Sequence, residues 1–256
     1  QPNNALLTSR QRIVHGYAWA ETTVHGLAAI ISWSKGLLER GRMTEGEACV
    51  IKIAFGEYLA QFIGGIPMGQ NEYFRPSDAG MTEAAQTLAS ESSVSEFLAT
   101  GNSVKNRGMI FQYLLSSGYI NDRFDDEFLD EIRSQYRRFT SEQIIPYAQA
   151  WHLANDLIPD ELIDELAALG TFGVCIPEAN GGLGLGKLVM CIITEELSRG
   201  WIAAGSLGTR SEIAGDLILA SGTEAQKNTF LPQIANGEML PTAVFTEPNT
   251  GSDLGS

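Results

Sequence analysis

The sequence MLPTAVFTEPNTGSDLGS occupies residues 239–256 and differs in kind from the chain before it. An apolar run over Leu240–Phe245 predicts a β-strand, and Thr246 follows it with a hydroxyl group. Pro248–Gly251 then supplies the residue types of a tight turn, and Ser252 adds a second hydroxyl. From residue types alone, this corner fits a simple turn and a site for an anionic or polar ligand equally well.

The chain before this corner is predicted to be helical almost throughout. Residues 8–40 contain no proline and place apolar side chains at helical spacing. Thr44 and Glu47 form a capping-box pattern at the start of a second helix, which ends at Gly64–Gly65. Residues 68–80 are predicted to be a loop. Further helices are predicted near residues 82–98, 104–115, 126–146, 161–169, 187–199, 202–220 and 224–234.

A polar, turn-rich stretch at residues 118–126 predicts a boundary between two helical regions. We expect three parts: a helical region over 1–121, a second helical domain over 122–239, and the first strand of a β-domain over 240–256. The fold class is therefore mainly α. Because a single strand leaves its backbone groups unpaired, we expect this sequence to be one piece of a longer polypeptide.

The charge and composition narrow the classes of partner. Hydrophobic residues make up 44% and charged residues 19%, which is typical of a folded globular protein. The chain has 17 basic and 31 acidic residues, for a net charge of −14. Because this charge repels phosphate backbones and anionic lipid headgroups, we expect neither a nucleic acid nor a membrane as partner. No apolar run approaches the roughly 20 residues that cross a bilayer.

The cysteines and histidines predict no metal site. Cys49, Cys175 and Cys191 are far apart in the sequence and include no CxxC pair, so neither a zinc site nor a disulfide framework is supported. We therefore expect a reducing compartment such as the cytoplasm. His15 and His25 are ten residues apart, which corresponds to a rotation of about 280° around a helix, so they would not share a face.

Two other features have ordinary structural explanations. Glu195 and Glu196 are neighbours on a predicted helix and diverge by about 100°, so they cannot act together on one bond. They predict a solvated or salt-bridged face. Gly181–Gly184 is rich in glycine, but no strand–GxGxxG–helix unit surrounds it, which favours a tight turn over a phosphate-binding loop.

Several motifs in order resemble the acyl-CoA dehydrogenase family. Residues 245–253, FTEPNTGSD, are similar to its TEPxxGSD flavin-site motif. The upstream segments that resemble the family are Phe172–Gly173, Ile176–Glu178, Gly181–Gly184, Glu195–Gly200, Gly222–Lys227, Leu231–Pro232 and Gly237–Glu238. The resemblance covers residues 125–256. It implies the family's N-terminal helical domain followed by the start of its middle β-domain.

Residues 1–121 do not match the usual architecture of this family. They resemble the helical N-terminal extension of its (2S)-methylsuccinyl-CoA dehydrogenases. That resemblance implies oxidation of a short branched dicarboxylic acyl-CoA, of the methylsuccinyl-CoA to mesaconyl-CoA type, in the ethylmalonyl-CoA pathway. The alternatives are an acyl-CoA oxidase, a dehydrogenase for another short acyl-CoA, and a non-catalytic helical interaction module.

The resemblance also implies the cofactor and its site. FAD would accept a hydride from the substrate's β-carbon, with Thr246 at the flavin ring and Phe245 offering backbone contacts. Gly251 and Ser252 would approach the pyrophosphate of FAD, and Ser252 also the CoA arm. The family's catalytic base is a glutamate in a C-terminal helical region beyond residue 256, so no catalytic residue is predicted in this chain. The implied partners are an acyl-CoA substrate, an electron-transfer flavoprotein and further copies of the subunit, in a tetramer or dimer.

Arg210 offers a hypothesis about substrate choice. Together with Thr209 it lies in the helix predicted after Trp201, where the resemblance places the floor of the acyl pocket. A carboxylate at the distal end of a dicarboxylic substrate would pair with its guanidinium group through a forked, charge-assisted hydrogen bond. The alternative is an ion pair of Arg210 with Glu212 or Asp216, or simple exposure to water.

Overall fold

The computed structural model describes residues 4–118, 120–249 and 251. The chain separates between Asp122 and Arg123 into two compact units. Helices dominate both units, so the predicted mainly α fold class is confirmed. Among the described helices, none combines the length and the apolar character that crossing a bilayer requires.

The first unit is a set of helices with a short hairpin. Its elements are α1 (Asn4–Ser9), α2 (Gln11–Glu39), α3 (Glu45–Gly64), β1 (Ile66–Gly69), β2 (Glu72–Phe74), α4 (Thr82–Ser90), α5 (Ser92–Thr100) and α6 (Val104–Ser117). The helix predicted over residues 8–40 is interrupted at Arg10, and the one predicted near 82–98 is divided at Glu91. Most of the predicted helical sequence is therefore helical, with two breaks that its periodicity did not reveal.

The start of α3 is fixed by the predicted capping box, which is confirmed. The Thr44 hydroxyl accepts the N–H of Gly46, and the N–H of Thr44 donates to the Glu47 carboxylate at 3.0 Å. Glu47 is fully buried and also accepts the N–H of Asn121 at 3.0 Å. Burial by itself would raise the pKa of Glu47, but these hydrogen bonds outweigh it and lower the pKa below its ordinary value.

A β-hairpin replaces much of the loop that was predicted over residues 68–80. In β1 and β2, Ile66 pairs with Phe74 and Gly69 with Glu72. The turn between them holds Asn71 at φ 62°, a left-handed conformation that asparagine tolerates better than most residues. The prediction was wrong because strands of four and three residues are too short to show an alternating pattern.

The second unit is built mainly from six α-helices among its described residues. They are α7 (Glu127–Phe139), α8 (Ile145–Ala154), α9 (Asp160–Ala168), α10 (Gly186–Gly200), α11 (Ile202–Ser221) and α12 (Glu224–Ala235). A π-helical turn at Thr140–Ile144 links α7 to α8, so the helix predicted to end at Pro146 continues beyond it. Pro146 lies in the first turn of α8, where its missing N–H costs no helical hydrogen bond.

The core of this unit lies between α7, α9, α10 and α11. Tyr136, Leu166, Phe172, Ile193 and Leu197 are almost completely buried in it. The hydroxyl of Tyr136 is within 2.9 Å of another buried hydroxyl, that of Thr171. A second cluster joins α12 to the segment that follows α9. The second unit therefore buries the apolar sides of its own helices.

The strand predicted over Leu240–Phe245 does not form, and residues 240–246 have no regular secondary structure. A strand needs a neighbour to accept and donate its backbone hydrogen bonds, and the described part of the second unit contains no other strand. Val244 and Phe245 are exposed instead. The division of residues 122–256 into a helical and a β part stays a prediction.

Candidate active site

Arg210 and Thr209 lie in the middle of α11, which begins directly after Trp201. Arg210 is exposed, and its guanidinium group reaches the Ser206 hydroxyl at 3.5 Å, the outer limit of a hydrogen bond. The Thr209 hydroxyl donates to the backbone carbonyl of Ser206 at 2.9 Å. The structure therefore pairs Arg210 with Ser206, one turn earlier on the same helical face, and not with Thr209.

The acidic neighbours of Arg210 on α11 have another partner. Lys187, at the start of α10, forms ion pairs with both Glu212 and Asp216. These hydrogen bonds raise the pKa of Lys187 above its ordinary value. No ion pair joins Arg210 to a carboxylate in the described part of the chain. Of the alternatives for Arg210, the structure shows exposure and not the pairing with Glu212 or Asp216.

Ser206 contacts Arg210 and was not named by the sequence analysis. Its hydroxyl donates to the Ala203 carbonyl at 2.9 Å and lies beside the Arg210 guanidinium group. The signal was the spacing of four residues between a serine and an arginine on one predicted helix. That signal is weak, because many serines precede a charged residue at this spacing without contacting it.

The residues predicted to hold a flavin lie after α12. Phe245 and Thr246 are exposed, and the Thr246 hydroxyl makes no hydrogen bond with the described residues. Gly251 has no atom within 4 Å of the position that a Cβ would occupy. Ser252 lies outside the described residues. No hydrogen bond among the described residues joins this segment to Arg210.

The glycine-rich segment is a closed turn, as predicted. All four N–H groups of Gly181–Gly184 donate to backbone carbonyls within residues 173–178, at distances between 2.8 and 3.1 Å. A Cβ on Gly182 would lie 2.1 Å from the carbonyl oxygen of Ile176, so only glycine fits there. Because these N–H groups are already paired, they are not available to a phosphate group.

Of the alternatives predicted for Glu195 and Glu196, a solvated or a salt-bridged face, the structure shows salt bridges for both, and the two glutamates differ in burial. Glu196 is buried and accepts hydrogen bonds from Arg137 at 3.1 Å and from Arg199 at 3.2 Å. Glu195 is exposed and pairs with Arg133 at 2.9 Å. Arg133 also lies 3.7 Å from Glu196, so this cluster ties α7 to α10. Glu196 is therefore a structural carboxylate and not a catalytic base.

The three cysteines differ in burial, and none belongs to a metal-ligand cluster among the described residues. The described residues contain no group of three or more His, Cys, Asp or Glu side chains that could hold a metal ion. Cys49 is buried in the first unit, whereas Cys191 is exposed in the second. Partial burial, together with the negative charge of Glu212, raises the pKa of Cys175 to about 11. Cys175 is therefore a thiol, and not a thiolate, near neutral pH.

Comparison with known proteins shows which protein family has these features. Residues 126–238 match the model of the acyl-CoA dehydrogenase N-terminal domain. The chain is 46% identical over 258 residues to (2S)-methylsuccinyl-CoA dehydrogenase of Cereibacter sphaeroides, an alignment that covers 99% of this chain and 46% of that enzyme. The chain belongs to the acyl-CoA dehydrogenase family. The resemblance found in its motifs is thereby confirmed.

Two further relatives from this family are similar over a smaller part of the chain. Glutaryl-CoA dehydrogenase of Desulfococcus multivorans is 35% identical over 130 residues, 49% of this chain and 33% of that enzyme. Mitochondrial isovaleryl-CoA dehydrogenase of Arabidopsis thaliana is 35% identical over 161 residues, 60% of this chain and 37% of that enzyme. The chain spans less than half the length of each of these three relatives.

Proposed function

We propose that this chain is part of an FAD-dependent acyl-CoA dehydrogenase that oxidises a short branched dicarboxylic acyl-CoA, of the methylsuccinyl-CoA to mesaconyl-CoA type. The observation that carries the proposal is the extent of one alignment. Its 99% coverage includes both units, at 46% identity, whereas the glutaryl-CoA and isovaleryl-CoA dehydrogenases align over 49% and 60% of the chain. The first unit therefore favours a methylsuccinyl-CoA-type substrate over a plain short-chain one.

In this proposal Arg210 binds the free carboxylate at the distal end of the substrate. Its guanidinium group is exposed, and the neighbouring acids Glu212 and Asp216 are paired with Lys187. A planar guanidinium group holds a carboxylate through two parallel hydrogen bonds, which sets the orientation of the substrate as well as its affinity. Thr209 and Ser206 would line the helix face beside it.

The segment after α12 would contribute to the flavin site. Bound FAD would supply the chemistry of hydride acceptance from the β-carbon. Thr246 offers an exposed hydroxyl with no described partner, Phe245 an exposed aromatic face, and Gly251 an open backbone. A hydroxyl donor beside an apolar face suits a planar heteroaromatic ring. Ser252 is assigned to this site only because its motif resembles that of the family.

We assign no catalytic base within this chain. Glu196 is buried and forms ion pairs with arginines, whereas Glu212 and Asp216 both form ion pairs with Lys187. None of these three carboxylates is therefore free to remove a proton. The proposal includes the partners that the family implies: an electron-transfer flavoprotein as acceptor, a homo-oligomer and a cytoplasmic location.

The flavin assignment is tested on the purified full-length protein. We expect bound FAD, and bleaching of its visible absorption when methylsuccinyl-CoA is added without oxygen. Slow recovery of the absorption in air is expected for a dehydrogenase and fast recovery for an oxidase, so this step separates the two. A protein that stays colourless after incubation with FAD would contradict the enzyme assignment and favour a non-catalytic helical module.

The role of Arg210 is tested by Arg210→Met, with Lys227→Met as the matched control on α12. A hydrogen bond to a charged group contributes about 1.5–3 kcal/mol, so kcat/KM for methylsuccinyl-CoA should fall about 10- to 150-fold. The value for a monocarboxylic branched acyl-CoA should change less than about threefold, and the control should change neither. An equal loss for both substrates would show that Arg210 does not bind the distal carboxylate.

A further inference from the structure

An open cavity of about 710 Å³ lies at the surface of the first unit, among α2, α3, α5 and α6. This volume is in the range of about 300–1,000 Å³ that small-molecule sites occupy. The apolar side chains that line it include Leu38, Met43, Ile51 and Phe97. The ring of Phe97 is supported from behind by Phe55, with ring centroids 5.2 Å apart. The cavity therefore has a mainly hydrophobic lining held by packed aromatic rings.

Two lysines give this apolar cavity a positive charge. Lys52 and Lys105 line it together with one acid, Glu96, so the lining carries a net charge of +1 (two lysines less one glutamate). Neither lysine forms an ion pair within the described part of the chain, whereas Lys187 and Lys227 both do. In a chain with a net charge of −14, Lys52 and Lys105 thus bring two positive charges to one cavity.

These features define the chemistry of a ligand. Apolar walls favour a hydrocarbon chain, and a net charge of +1 is neutralised by a single negative charge. Glu96 would oppose a ligand with several negative charges, such as a nucleotide. We propose that this cavity binds a monoanionic apolar carboxylate, with its hydrocarbon chain against Phe97 and the other apolar side chains. Its carboxylate pairs with Lys52 and Lys105.

This site differs from the one proposed for catalysis. All of its lining residues belong to the first unit, whereas Arg210 and the flavin-site segment belong to the second. Its ligand is a free carboxylate and not a thioester. The inference therefore does not depend on the proposed reaction, and it can fail while the dehydrogenase activity is retained.

The first experiment measures binding of decanoate to the full-length protein by isothermal titration calorimetry. Octanoate, decanol and decylammonium are the comparison ligands. Each buried methylene contributes about fourfold in affinity, so decanoate should bind about tenfold or more tightly than octanoate. Decanol and decylammonium should bind more weakly than decanoate, because neither carries the negative charge. Absence of decanoate binding, or equal binding of decylammonium, would overturn the proposal.

The second experiment locates the site with variants. In Lys52→Met/Lys105→Met, decanoate affinity should fall at least about tenfold. Lys35→Met is the matched control, because Lys35 is an exposed lysine on α2 that does not line the cavity. The affinity of this variant for decanoate should be unchanged. Ala99→Trp places a bulky side chain at an exposed position of the lining and should abolish binding.

Acyl-CoA turnover distinguishes this site from the catalytic one. Ala99→Trp and the double lysine variant should keep the turnover of the unmodified enzyme and its circular dichroism spectrum. Decanoate binding that survives both variants would show that the ligand lies elsewhere, and the proposal would be wrong. Loss of binding with turnover retained is the expected result.

Discussion

The two units bury their apolar side chains to very different extents. Among the described residues, five apolar side chains are buried in the first unit and eighteen in the second. The first unit instead exposes a stripe along α2, where Tyr17, Val24, Ile31 and Leu38 recur every seven residues. Tyr17 is 61% exposed and Leu38 64%. Helical periodicity thus predicts a helix equally well in both units, but it does not predict whether the helix's own unit covers the apolar face.

The largest expected effect compares two leucines on helices. Leu197 on α10 is completely buried in the second unit, whereas Leu115 on α6 is 66% exposed in the first. Leu197→Ala should lower the free energy of unfolding by about 2–5 kcal/mol, because it removes packed atoms and leaves a cavity. Leu115→Ala should change it by less than about 0.5 kcal/mol. Urea unfolding of the full-length protein, followed by circular dichroism, measures both.

The same two variants also test whether the two units differ in burial in the full-length protein. A loss for Leu115→Ala as large as that for Leu197→Ala would mean that another part of the full-length protein buries this face of α6. The slope of the unfolding transition should be the same for both variants, since neither changes the surface that unfolding exposes. A changed slope would point to an altered denatured state and not to lost packing.

The second effect concerns the paired glutamates of α10. Glu196→Gln removes a buried charge from a cluster of arginines and should cost about 3 kcal/mol, near the lower limit for a buried ion pair. The lower limit applies because Arg137 and Arg199 are only partly buried. Glu195→Gln is the matched control and should cost less than about 1 kcal/mol, as expected for an exposed pair. Equal losses would contradict the burial difference between Glu195 and Glu196.

Local sequence signals predicted much of this fold. The capping box at Thr44 and the closed turn at Gly181–Gly184 each depend on residues close together in the chain. That proximity made them readable from residue types alone. For Glu195 and Glu196, the sequence could tell neither their partners on α7 nor which of the two is buried, because both depend on where α7 lies in relation to α10.

The errors have two physical causes: dependence on distant parts of the chain, and strands too short to show a pattern. The strand predicted over Leu240–Phe245 has the right composition but lacks a neighbour among the residues that the structure describes, and the hairpin at Ile66–Phe74 was missed because its strands are so short. For Arg210, the sequence analysis left Glu212 and Asp216 open as alternative partners, yet both are paired with Lys187. Competition between side chains on different helices is not visible in spacing along one of them.

The third effect is a pH dependence in the first unit. The pKa of Glu47 is lowered below its ordinary value of 4.5, so the folded state binds this proton less readily than the unfolded state does. The contribution of the Glu47 carboxylate to the free energy of unfolding is therefore complete above about pH 4.5. It is lost as the pH falls through the lower pKa of the folded state. Glu47→Gln should lose about 1–2 kcal/mol at pH 7, as expected for a damaged helix cap.

Measurement at two pH values separates this contribution from general acid destabilisation. At pH 7 the difference in unfolding free energy between the unmodified protein and Glu47→Gln should be largest. At pH 3 it should shrink, because the carboxyl group is then increasingly protonated in both folded and unfolded states. A difference that stays constant between the two values would show that the charge of Glu47 does not stabilise the cap.

The smallest expected effect compares surface ion pairs in the two units. Arg12 on α2 lies 3.4 Å from Asp78 and donates to the Tyr73 carbonyl at 2.6 Å, which ties α2 to the hairpin. Lys187 ties α10 to α11 in the same way. All these groups are at least partly exposed, so Arg12→Met and Lys187→Met should each cost less than about 1 kcal/mol. Raising the salt concentration should shrink both losses.

Proteolysis in native buffer compares how firmly the hairpin of the first unit and the α10–α11 pair of the second are held. The hairpin is held to α2 by these polar contacts and by Phe74, which packs over Gly16 so closely that a Cβ there would lie 2.1 Å from its ring. The α10–α11 pair is held by a continuous core as well as by Lys187. Arg12→Met should therefore increase cleavage near residues 66–79, whereas Lys187→Met should leave the cleavage of α10 and α11 unchanged. Similar protection in both variants would mean that Phe74 alone holds the hairpin.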